Sequence, residues 1–511
     1  MNKKILVLNM GMKSIRSIIF DSDGEKLATS ALPIETQLSE DYVTQNPDEW
    51  WKKAQCVIKD SVNQLSNVQI DYLTVTTSAA CLVYIDKSGN SLGPCIMVSD
   101  KRAKNESLYL SGLPSFKKLK ETLGFSADSY YLIPKTLWLK NNQPEIYSRI
   151  NKLLTPNDFL IYKMTGEFVI DYVNAQKWYY DVDSNKYPEE ILKDIGIEKK
   201  LLPSVVNPGD FVGFLKKDVA AELGLPESVK VIATTYDAIC SFIGSGVSEE
   251  GDASDVSGTV TVFRSVTKKD IKKVNSKIQL IPFKEGNMKI IGGSNNLGGG
   301  LIEWVKQCYY INEKYPYELM EKDANDSSLG AGGVIFLPYL LGERAPLWDY
   351  DARGVFFGLE RMHTRKEMTR AVFESAGFID LDMINAIEEN GVFINSIHVS
   401  GGLARVNLVS QLKADITGKE IHVLSEFETT ATGAAIIALY GQKVFSTLKE
   451  ACDIFAQVRM IIKPDKKNHE KYLEIYDLYK ETYNALRDLF PKRMELTRKL
   501  YNNKHVRIEN L

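Results

Sequence analysis

Residues 8–24, LNMGMKSIRSIIFDSDG, hold two apolar segments separated by a turn centred on Gly11. A second turn, of sequence SDGE, has the residue types that favour a hairpin. Short turns thus join three strand-like runs into a predicted antiparallel meander: residues 4–9, 14–21 and 25–33. Phosphate-binding hairpins commonly carry a carboxylate and a hydroxyl in the first turn, whereas this chain offers Asn9 and Met12. The stretch alone therefore allows a nucleotide site, a decayed one or a plain hairpin.

The composition is that of an ordinary globular protein of about two to four domains. The chain has 511 residues, of which 44% are hydrophobic and 25% charged, and its net charge is −3. So small a charge gives no whole-molecule field for nucleic acid or an anionic membrane, and no apolar run is long enough to cross a bilayer. We therefore expect a cytoplasmic protein with neither of these partners. The six cysteines form no CxxC pair and are expected to be buried, and the five histidines form no zinc motif.

The order of elements in the first half of the chain recurs in the second. The segment SDVSGTVTVFRSV (254–266) has the pattern of strand, small turn and strand, and NSIHVSGGLARVNLVSQLKADI (395–416) that of strand, turn and helix. We therefore predict a duplicated α/β unit, with an N-terminal domain over 1–246 and a C-terminal domain over 247–511. Near the end of the chain an amphipathic helix is predicted, whose tyrosines recur on one face and are expected in the core: Tyr472, Tyr476, Tyr479 and Tyr483.

One carboxylate, Asp237, stands where an apolar strand passes into a helix, in VIATTYDAICSFIGSG (231–246). Such an acid either caps the helix by accepting backbone N–H bonds or acts as a general base toward a substrate hydroxyl. Taken alone, the position favours the cap.

Three glycine-containing turns are candidates for phosphate binding, because small residues let the backbone approach an anion. They are Ser257-Gly258-Thr259, the loop GGSNNLGGGLIEWV (292–305) before a helix, and VSGGLARVN (399–407). No Walker sequence is present, so phosphate binding would need several separated turns. Another glycine, Gly433 in ETTATGAAIIALYG (428–441), is instead predicted to serve close packing between helices.

The order of these motifs resembles that of the FGGY carbohydrate kinase family over essentially the whole chain. The segment GLERMHTRKEMTRAVFES (358–375) is similar to the C-terminal signature of that family, and GERAPLWDYDARGVFFGL (342–359) precedes it. YVTQNPDEWW (42–51) and the segments over 155–167 and 171–197 are similar to its early and middle parts. The resemblance implies an α/β fold of two actin-like, ribonuclease-H-like domains with a cleft between them. It also implies a kinase that uses ATP and Mg2+, with a small sugar or polyol held by the first domain and ATP mainly by the second.

Position by position, the resemblance implies roles for individual residues. Asp237 matches the base that deprotonates the attacking hydroxyl. Substrate contacts are implied for Ser78, Asp100, Arg102 and Tyr236, and Mg2+ contacts for Asn9 and Asp237. Nucleotide contacts are implied for Gly11, Met12, Lys13, Ser257, Gly258, Thr259, Gly299, Glu303, Gly401, Gly402 and Val406.

Several of these residues depart from the family pattern. Asn9 replaces the usual Asp, Met12 and Lys13 replace hydroxyl residues, and Val406 replaces a common Asn. Two functions therefore stay open: ATP-dependent phosphorylation of a small sugar or polyol, or a weakened or inactive member that binds a sugar or a protein partner. An actin-like ATPase without a sugar is disfavoured by the sugar-side segments.

The sugar that accepts the phosphate is expected to contact the segment Ser78-Ala79-Ala80, which stands where xylulokinases carry a Met-His pair. This difference disfavours a typical xylulokinase. We expect a pentulose-like acceptor, as in ribulokinase-type relatives, and autoinducer-2 kinases are a further candidate class. Dimers are common in the family, so a homodimer is an additional prediction.

Overall fold

The structure is a computed structural model and describes residues 2–39, 41–65, 69–258, 260–271, 274–426 and 428–500. Thr259, a predicted nucleotide contact, lies outside the described residues. The strands are β1 Lys4–Met10, β2 Ser14–Asp21, β3 Lys26–Pro33, β4 Gln37–Leu38, β5 Val43–Gln45, β6 Tyr72–Thr77, β7 Val83–Ile85, β8 Cys95–Ile96, β9 Lys152–Leu154, β10 Val169–Asp171, β11 Ser204–Val206, β12 Phe211–Phe214, β13 Lys230–Ile232, β14 Asp252–Ser257, β15 Thr261–Thr267, β16 Gln279–Phe283, β17 Met288–Ser294, β18 Ile335–Leu337, β19 Val355–Phe357, β20 Ser396–Gly401, β21 Glu420–Leu424 and β22 Val458–Ile462. The helices are α1 Pro47–Asn63, α2 Lys104–Gly112, α3 Pro114–Leu123, α4 Leu132–Asn142, α5 Pro144–Ser148, α6 Pro156–Thr165, α7 Tyr172–Ala175, α8 Glu189–Asp194, α9 Lys217–Leu223, α10 Asp237–Gly244, α11 Gly300–Tyr309, α12 Pro316–Asp326, α13 Arg365–Glu388, α14 Asn407–Thr417, α15 Thr429–Gly441, α16 Leu448–Phe455, α17 Lys466–Leu486 and α18 Leu489–Leu500.

The chain divides into two compact units, and the division differs from a single cut near residue 246. The first unit contains Met1–Gly244 together with Glu428–Phe455, and the second contains Ser245–Phe427 and Ala456–Leu511. The late segment joins the first unit because helix α15 packs on α10, β1 and β6, and α16 packs on α15. Since these contacts join residues far apart in the chain, no local pattern in the sequence marks them.

The first unit is built on a six-stranded sheet of order β12-β13-β6-β1-β2-β3. The meander predicted at the N-terminus is present, since β1 pairs antiparallel with β2 and β2 with β3. Strand β6 runs parallel to β1 on one side and to β13 on the other. Six of the seven β1 residues are buried, which is expected of a central strand covered on both faces. The apolar core of this unit includes side chains of β1, β6 and α1.

The second unit repeats this topology in a seven-stranded sheet of order β16-β17-β15-β14-β20-β21-β22. Strand β14 pairs antiparallel with β15 and parallel with β20, as β1 does with β2 and β6. Strand β20 is parallel to β21, and β21 is antiparallel to β22. The recurring order of antiparallel and parallel neighbours confirms the duplicated α/β unit expected from the sequence.

Helices α10 and α15 of the first unit cross with their backbones in contact. A methyl group at Gly433 of α15 would lie 2.6 Å from the carbonyl carbon of Cys240 and 2.7 Å from the nitrogen of Gly244, both in α10. The Ser241 and Thr429 hydroxyls are hydrogen-bonded at 2.7 Å beside the crossing. Glycine is thus required at the crossing, as predicted for Gly433, and α15 fixes the helix that begins at Asp237.

The four tyrosines predicted on one helix face lie in α17 and are at most 7% exposed. They pack in the apolar core of the second unit. The expectation for the cysteines was wrong at two of six positions, because Cys56 and Cys308 occupy exposed positions on α1 and α11. Within the described part of the chain, no helix is long and apolar enough to span a bilayer.

Candidate functional site

The carboxyl ends of three parallel strands bring part of the predicted site together in the first unit. Strands β1 and β6 are in register at Met10 and Thr77, so the turn at Gly11 and the side chain of Ser78 follow at one edge of the sheet. Strand β13 is parallel to β6 and leads to Asp237 at the same edge. In open α/β sheets this edge is where ligands usually bind.

Asp237 is the first residue of α10 and is held by two donors. Its Oδ1 accepts a hydrogen bond of 2.7 Å from the backbone N–H of Ala238, and its Oδ2 accepts one of 3.2 Å from the Ser78 hydroxyl. The first bond belongs to the helix start, as the capping alternative expects, whereas the second comes from the segment after β6. The carboxylate is partly exposed, so it is oriented by the fold and still open to a ligand.

Hydrogen bonds of threonine hydroxyls connect the segment that carries Asp237 to β6. Thr74 donates to the carbonyl of Ile232 at 2.9 Å, and Thr76 donates to the carbonyl of Thr235 at 2.9 Å. In return the Thr234 hydroxyl donates to the carbonyl of Val75 at 2.6 Å. These buried bonds continue the sheet beyond the end of β13, where the ladder itself has stopped. They set the position of the following α10.

Lys135 of α4 holds the loop that follows Ser78. Its side chain is fully buried, and its ammonium donates to the carbonyls of Ala80 and Met97, each at 2.7 Å. Burial lowers the pKa of Lys135 to about 8. Ala80 has a positive φ of 57°, a conformation that costs free energy for a residue other than glycine. The lysine thus holds a strained loop next to the hydroxyl that contacts Asp237. No motif singled it out, although a lysine within an apolar helix was a signal.

The predicted substrate residues Asp100 and Arg102 form a closed pair with each other. The guanidinium donates to both oxygens of the carboxylate at 2.8 and 2.7 Å, and Asp100 also accepts from the backbone of Val43 at 2.7 Å. The guanidinium lies over the rings of Tyr42 and Trp138, 4.3 and 4.8 Å from their centroids. Their polar atoms are therefore used within the fold, and a contact with substrate stays a prediction for both residues.

Tyr236, the residue before Asp237, is 4% exposed. Its ring is one of three tyrosine rings around the ammonium of Lys177, which lies 5.1 Å from the Tyr236 centroid. The other two, Tyr130 and Tyr131, are 5.8 and 5.9 Å from the same ammonium. Lys177 is a residue near the site that was not singled out from the sequence, although it lies in the segment 171–197.

The first predicted phosphate turn presents an open backbone. Apart from its two neighbours in the chain, no described residue has an atom within 4 Å of where a Gly11 side chain would begin. Lys13 is exposed, whereas the Met12 side chain packs against the apolar core and its carbonyl accepts from Gln45 at 2.9 Å. Asn9 is buried just before this turn, and its amide donates at 3.1 Å to a carboxylate oxygen of Glu428. From the sequence, the segment beginning at Glu428 was expected to serve packing alone, so this acid was not predicted as a site residue.

The predicted nucleotide turns of the second unit meet around the end of β14. The backbone N–H of Gly299 donates to the carbonyl of Gly258 at 2.7 Å, and that of Gly402 donates to the carbonyl of Ser257 at 2.8 Å. Gly401 has a positive φ of 86°, and any larger residue there would overlap the Ser257 backbone. Three segments that are remote in sequence are therefore joined at the carboxyl edge of the parallel strands.

Other predicted nucleotide residues are engaged within the second unit. The Ser257 hydroxyl is buried and donates to Asp255 at 2.7 Å. Glu303 accepts from the Tyr317 hydroxyl at 2.5 Å. Val406 is 8% exposed, packs in the apolar core and precedes α14. The side chains of Ser257, Glu303 and Val406 thus have partners within the fold, and contact of each with a nucleotide stays a prediction.

The residues present fit a nucleotide and its magnesium ion. Among the described residues, and apart from the adjoining residues of the chain, a Cβ added at Gly258 or Gly402 would have no neighbour closer than 3.8 Å, which leaves the room that a phosphate group needs to approach the backbone. The described residues contain no group of three or more metal-binding side chains. Mg2+ in kinases is commonly held by one or two carboxylates, water and the phosphates themselves, a requirement that needs no such group, and the Mg2+ contacts of Asn9 and Asp237 stay predictions.

A cavity of about 630 Å³ lies elsewhere in the first unit. It is lined by residues of the β10–β11 region, including Tyr180, Tyr187 and Asp210, and by none of the predicted site residues. It therefore adds nothing to the candidate site.

Comparison with known proteins identifies the family. The N-terminal domain of the FGGY family of carbohydrate kinases matches residues 4–244, and its C-terminal domain matches residues 254–441. A xylulose kinase of Staphylococcus xylosus is 27% identical over 485 residues, which cover 94% of this chain and 99% of that protein.

Solved structures agree with this result. A gluconate kinase from Lactobacillus acidophilus superposes with a TM-score of 0.88 at 25% identity, covering 96% of this chain and 100% of that one. A ligand-bound xylulose kinase from the same organism gives a TM-score of 0.87 at 25% identity, covering 96% and 99%. The chain has the two-domain actin-like α/β fold, and it belongs to the FGGY family of carbohydrate kinases.

Proposed function

We propose that this carbohydrate kinase transfers the γ-phosphate of ATP to a hydroxyl group of a small sugar or polyol, with Asp237 as the general base. The observation that carries the proposal is the position of the Asp237 carboxylate, which is oriented by Ala238 and Ser78 and partly exposed at the carboxyl edge of the sheet. A base in this position is able to accept a proton from an acceptor hydroxyl without rearrangement of the fold.

The reaction requires one bond to form and one to break. The acceptor oxygen forms a bond with the γ-phosphorus, the bond from that phosphorus to the bridging oxygen breaks, and ADP leaves. The proton of the acceptor hydroxyl passes to the carboxylate of Asp237. Mg2+ supplies charge neutralisation at the phosphates when it is bound. The chain's own part is to orient the carboxylate and to offer open backbone at Gly11, Gly258 and Gly402 for the phosphates.

We further propose that the acceptor is held by the first unit and ATP mainly by the second. The glycine turns that meet at the end of β14 support the nucleotide assignment, since the space at Gly258 and Gly402 lets an anion approach the backbone. A pentulose-like acceptor is favoured by the small side chains of the segment Ser78-Ala79-Ala80, of which Ser78 contacts the proposed base. The relatives named xylulose kinase support the same class of acceptor. The structure named gluconate kinase is the reason to test an aldonate as well.

The experiment measures ADP formation from ATP and Mg2+ against pentuloses, hexuloses, polyols and aldonates. Asp237→Asn is the test variant, and Asp218→Asn on the exposed start of α9 is the matched control. We expect turnover with a pentulose-like acceptor, a loss of about 10²- to 10⁴-fold in kcat for Asp237→Asn, and normal activity for the control.

Full activity of Asp237→Asn would refute the role of this residue as the base. No turnover with any acceptor, together with no nucleotide binding by calorimetry, would refute the kinase itself. The second result is what a non-catalytic member of the family would give, and the replacements Asn9, Met12 and Val406 are the sequence features that favour it.

A further inference from the structure

The end of β1 contains an amide, Asn9, paired with a carboxylate that comes from a distant part of the chain. Asn9 is 6% exposed, and its Nδ2 donates to Oε1 of Glu428 at 3.1 Å. Glu428 stands directly before α15 and belongs to the same compact unit as β1. The two residues are separated by 419 positions in sequence. A negative charge is therefore present beside the first phosphate turn, although the turn itself contains no acid.

The Glu428 carboxylate is held from two sides. Its other oxygen, Oε2, pairs with the guanidinium of Arg16, and Arg16 is the residue opposite Asn9 in the register of β1 and β2. The helix that follows Glu428 is fixed by the glycine crossing at Gly433. About 30% of the Glu428 side chain is still exposed, so the carboxylate is positioned by the fold and accessible to a ligand.

An amide at position 9 suits the neighbouring carboxylate of Glu428. An amide N–H₂ is able to donate to a carboxylate, whereas an aspartate at position 9 would put two negative groups about 3 Å apart. The pair therefore supplies one negative charge, and Glu428 carries it. Hydrogen bonds that only joined β1 to α15 would be the same, but they would not require a carboxylate that is 30% exposed and bonded to Asn9, two residues before Gly11.

An exposed carboxylate beside a phosphate turn repels the phosphates unless a cation offsets its charge, and in the structure Arg16 is that cation. Mg2+ fits this need, because it keeps several waters and takes one or two carboxylates together with substrate phosphates. On this basis, and resting on the proposed function, we infer that Glu428 supplies the carboxylate of the first phosphate turn and contacts the Mg2+ that accompanies ATP, directly or through a bound water. Asn9 is then a positioning residue for Glu428, and Arg16 balances its charge when no metal is bound.

The inference is tested by moving the carboxylate between the two positions. The variants are Glu428→Gln, Asn9→Asp and the double variant that carries both changes, with the exposed Glu227→Gln as the control for loss of one negative charge. The measurement is the affinity of ATP by calorimetry without acceptor, first with Mg2+ and then with EDTA. The ratio of the two affinities reports the metal contact and does not depend on catalysis.

We expect Glu428→Gln to lower the Mg2+-dependent gain in ATP affinity by about tenfold or more, while the control keeps the wild-type gain. The double variant should recover most of the gain, because its glutamine amide is able to donate to the new aspartate and the charge returns to the same place. Circular dichroism spectra and urea midpoints of the variants show whether each has folded, and Asn9→Asp reports the effect of two carboxylates together.

A wild-type Mg2+ gain in Glu428→Gln, or a folded double variant that binds like Glu428→Gln, would overturn the inference. Mg2+-dependent ATP binding without turnover of any acceptor would refute the proposed function alone and leave this inference standing. Absence of Mg2+-dependent ATP binding in the wild-type protein would overturn both.

Discussion

The crossing of α10 and α15 at Gly433 is the contact that most directly connects packing with the candidate site. A methyl group added there would lie 2.6 and 2.7 Å from backbone atoms of Cys240 and Gly244, and closer still to the Cys240 oxygen. Ordinary contact begins at 3.4 Å, so Gly433→Ala requires the two helices to separate by at least about 0.8 Å, the difference between 3.4 and 2.6 Å. Backbone atoms on both sides leave no flexible side chain that could move away instead.

The expected loss in free energy of unfolding is about 3 kcal/mol, at the upper end of the range for overpacked sites. This loss is the cost of the clash after subtracting a gain of about 1 kcal/mol, because alanine stabilises a helix by that amount relative to glycine. Because α10 begins at Asp237, the same separation should lower kcat more than it raises KM for ATP. Gly244→Ala at the same crossing should cause a similar loss in free energy of unfolding. The double variant should lose less than the sum of the two single losses, because one separation of the helices relieves both clashes.

The assay is urea unfolding of each variant, followed by kinetics on the folded proteins. Gly112→Ala is the control, since Gly112 ends helix α2 and has no neighbour within 4 Å of an added methyl group. The control should change the free energy of unfolding by less than about 1 kcal/mol. If Gly433→Ala is as stable as the control, the close crossing of α10 and α15 is not present in the protein and the reasoning fails.

Three further substitutions test other contacts. Lys135→Met removes the lysine donor from the buried carbonyl of Ala80 and one of two donors from that of Met97, and should lower the free energy of unfolding by about 2 kcal/mol in urea melts; a loss below about 1 kcal/mol would contradict this. Arg102→Lys keeps the charge but loses the two-pronged bond to Asp100 and the ring contacts, with an expected loss of about 2 kcal/mol; an unchanged urea midpoint would contradict it. Burial raises the pKa of Glu343 from 4.5 to about 7, so the folded state keeps a proton that the unfolded chain releases, and this group lowers stability as pH rises from about 4.5 to 7. Glu343→Gln should reduce that decline by about 3 kcal/mol, and equal pH slopes for the two proteins would show the prediction to be wrong.

Much of the fold could be predicted from local patterns. The meander at residues 4–33 follows from alternating strands and strong turn signals, and the tyrosine face of α17 follows from helical spacing. The duplication was visible as a repeated order of elements, and the sheets confirm it. The assignment of Glu428–Phe455 to the first unit could not be predicted, because it depends on the packing of α15 against β1, β6 and α10.

The candidate site shows the same limit. Asp237 and the glycine turns are marked by residue type and by their place between strand and helix, and the structure brings each group together within its own unit. The partners that orient them are not marked. Glu428 approaches Asn9 from 419 residues away, and Lys135 reaches the loop at Ala80 from another helix. Such contacts are set by tertiary packing and have no period or motif from which to infer them.

The proposed reaction transfers phosphate from ATP to a sugar hydroxyl, with Asp237 as the base. Its most direct test is mass spectrometry of the acceptor after incubation with ATP and Mg2+, with ADP measured in the same sample. We expect one phosphorylated acceptor for each ADP formed, and a fall of at least about 10²-fold in both with Asp237→Asn. ADP without phosphorylated acceptor, or equal product from the Asp237→Asn variant, would contradict it.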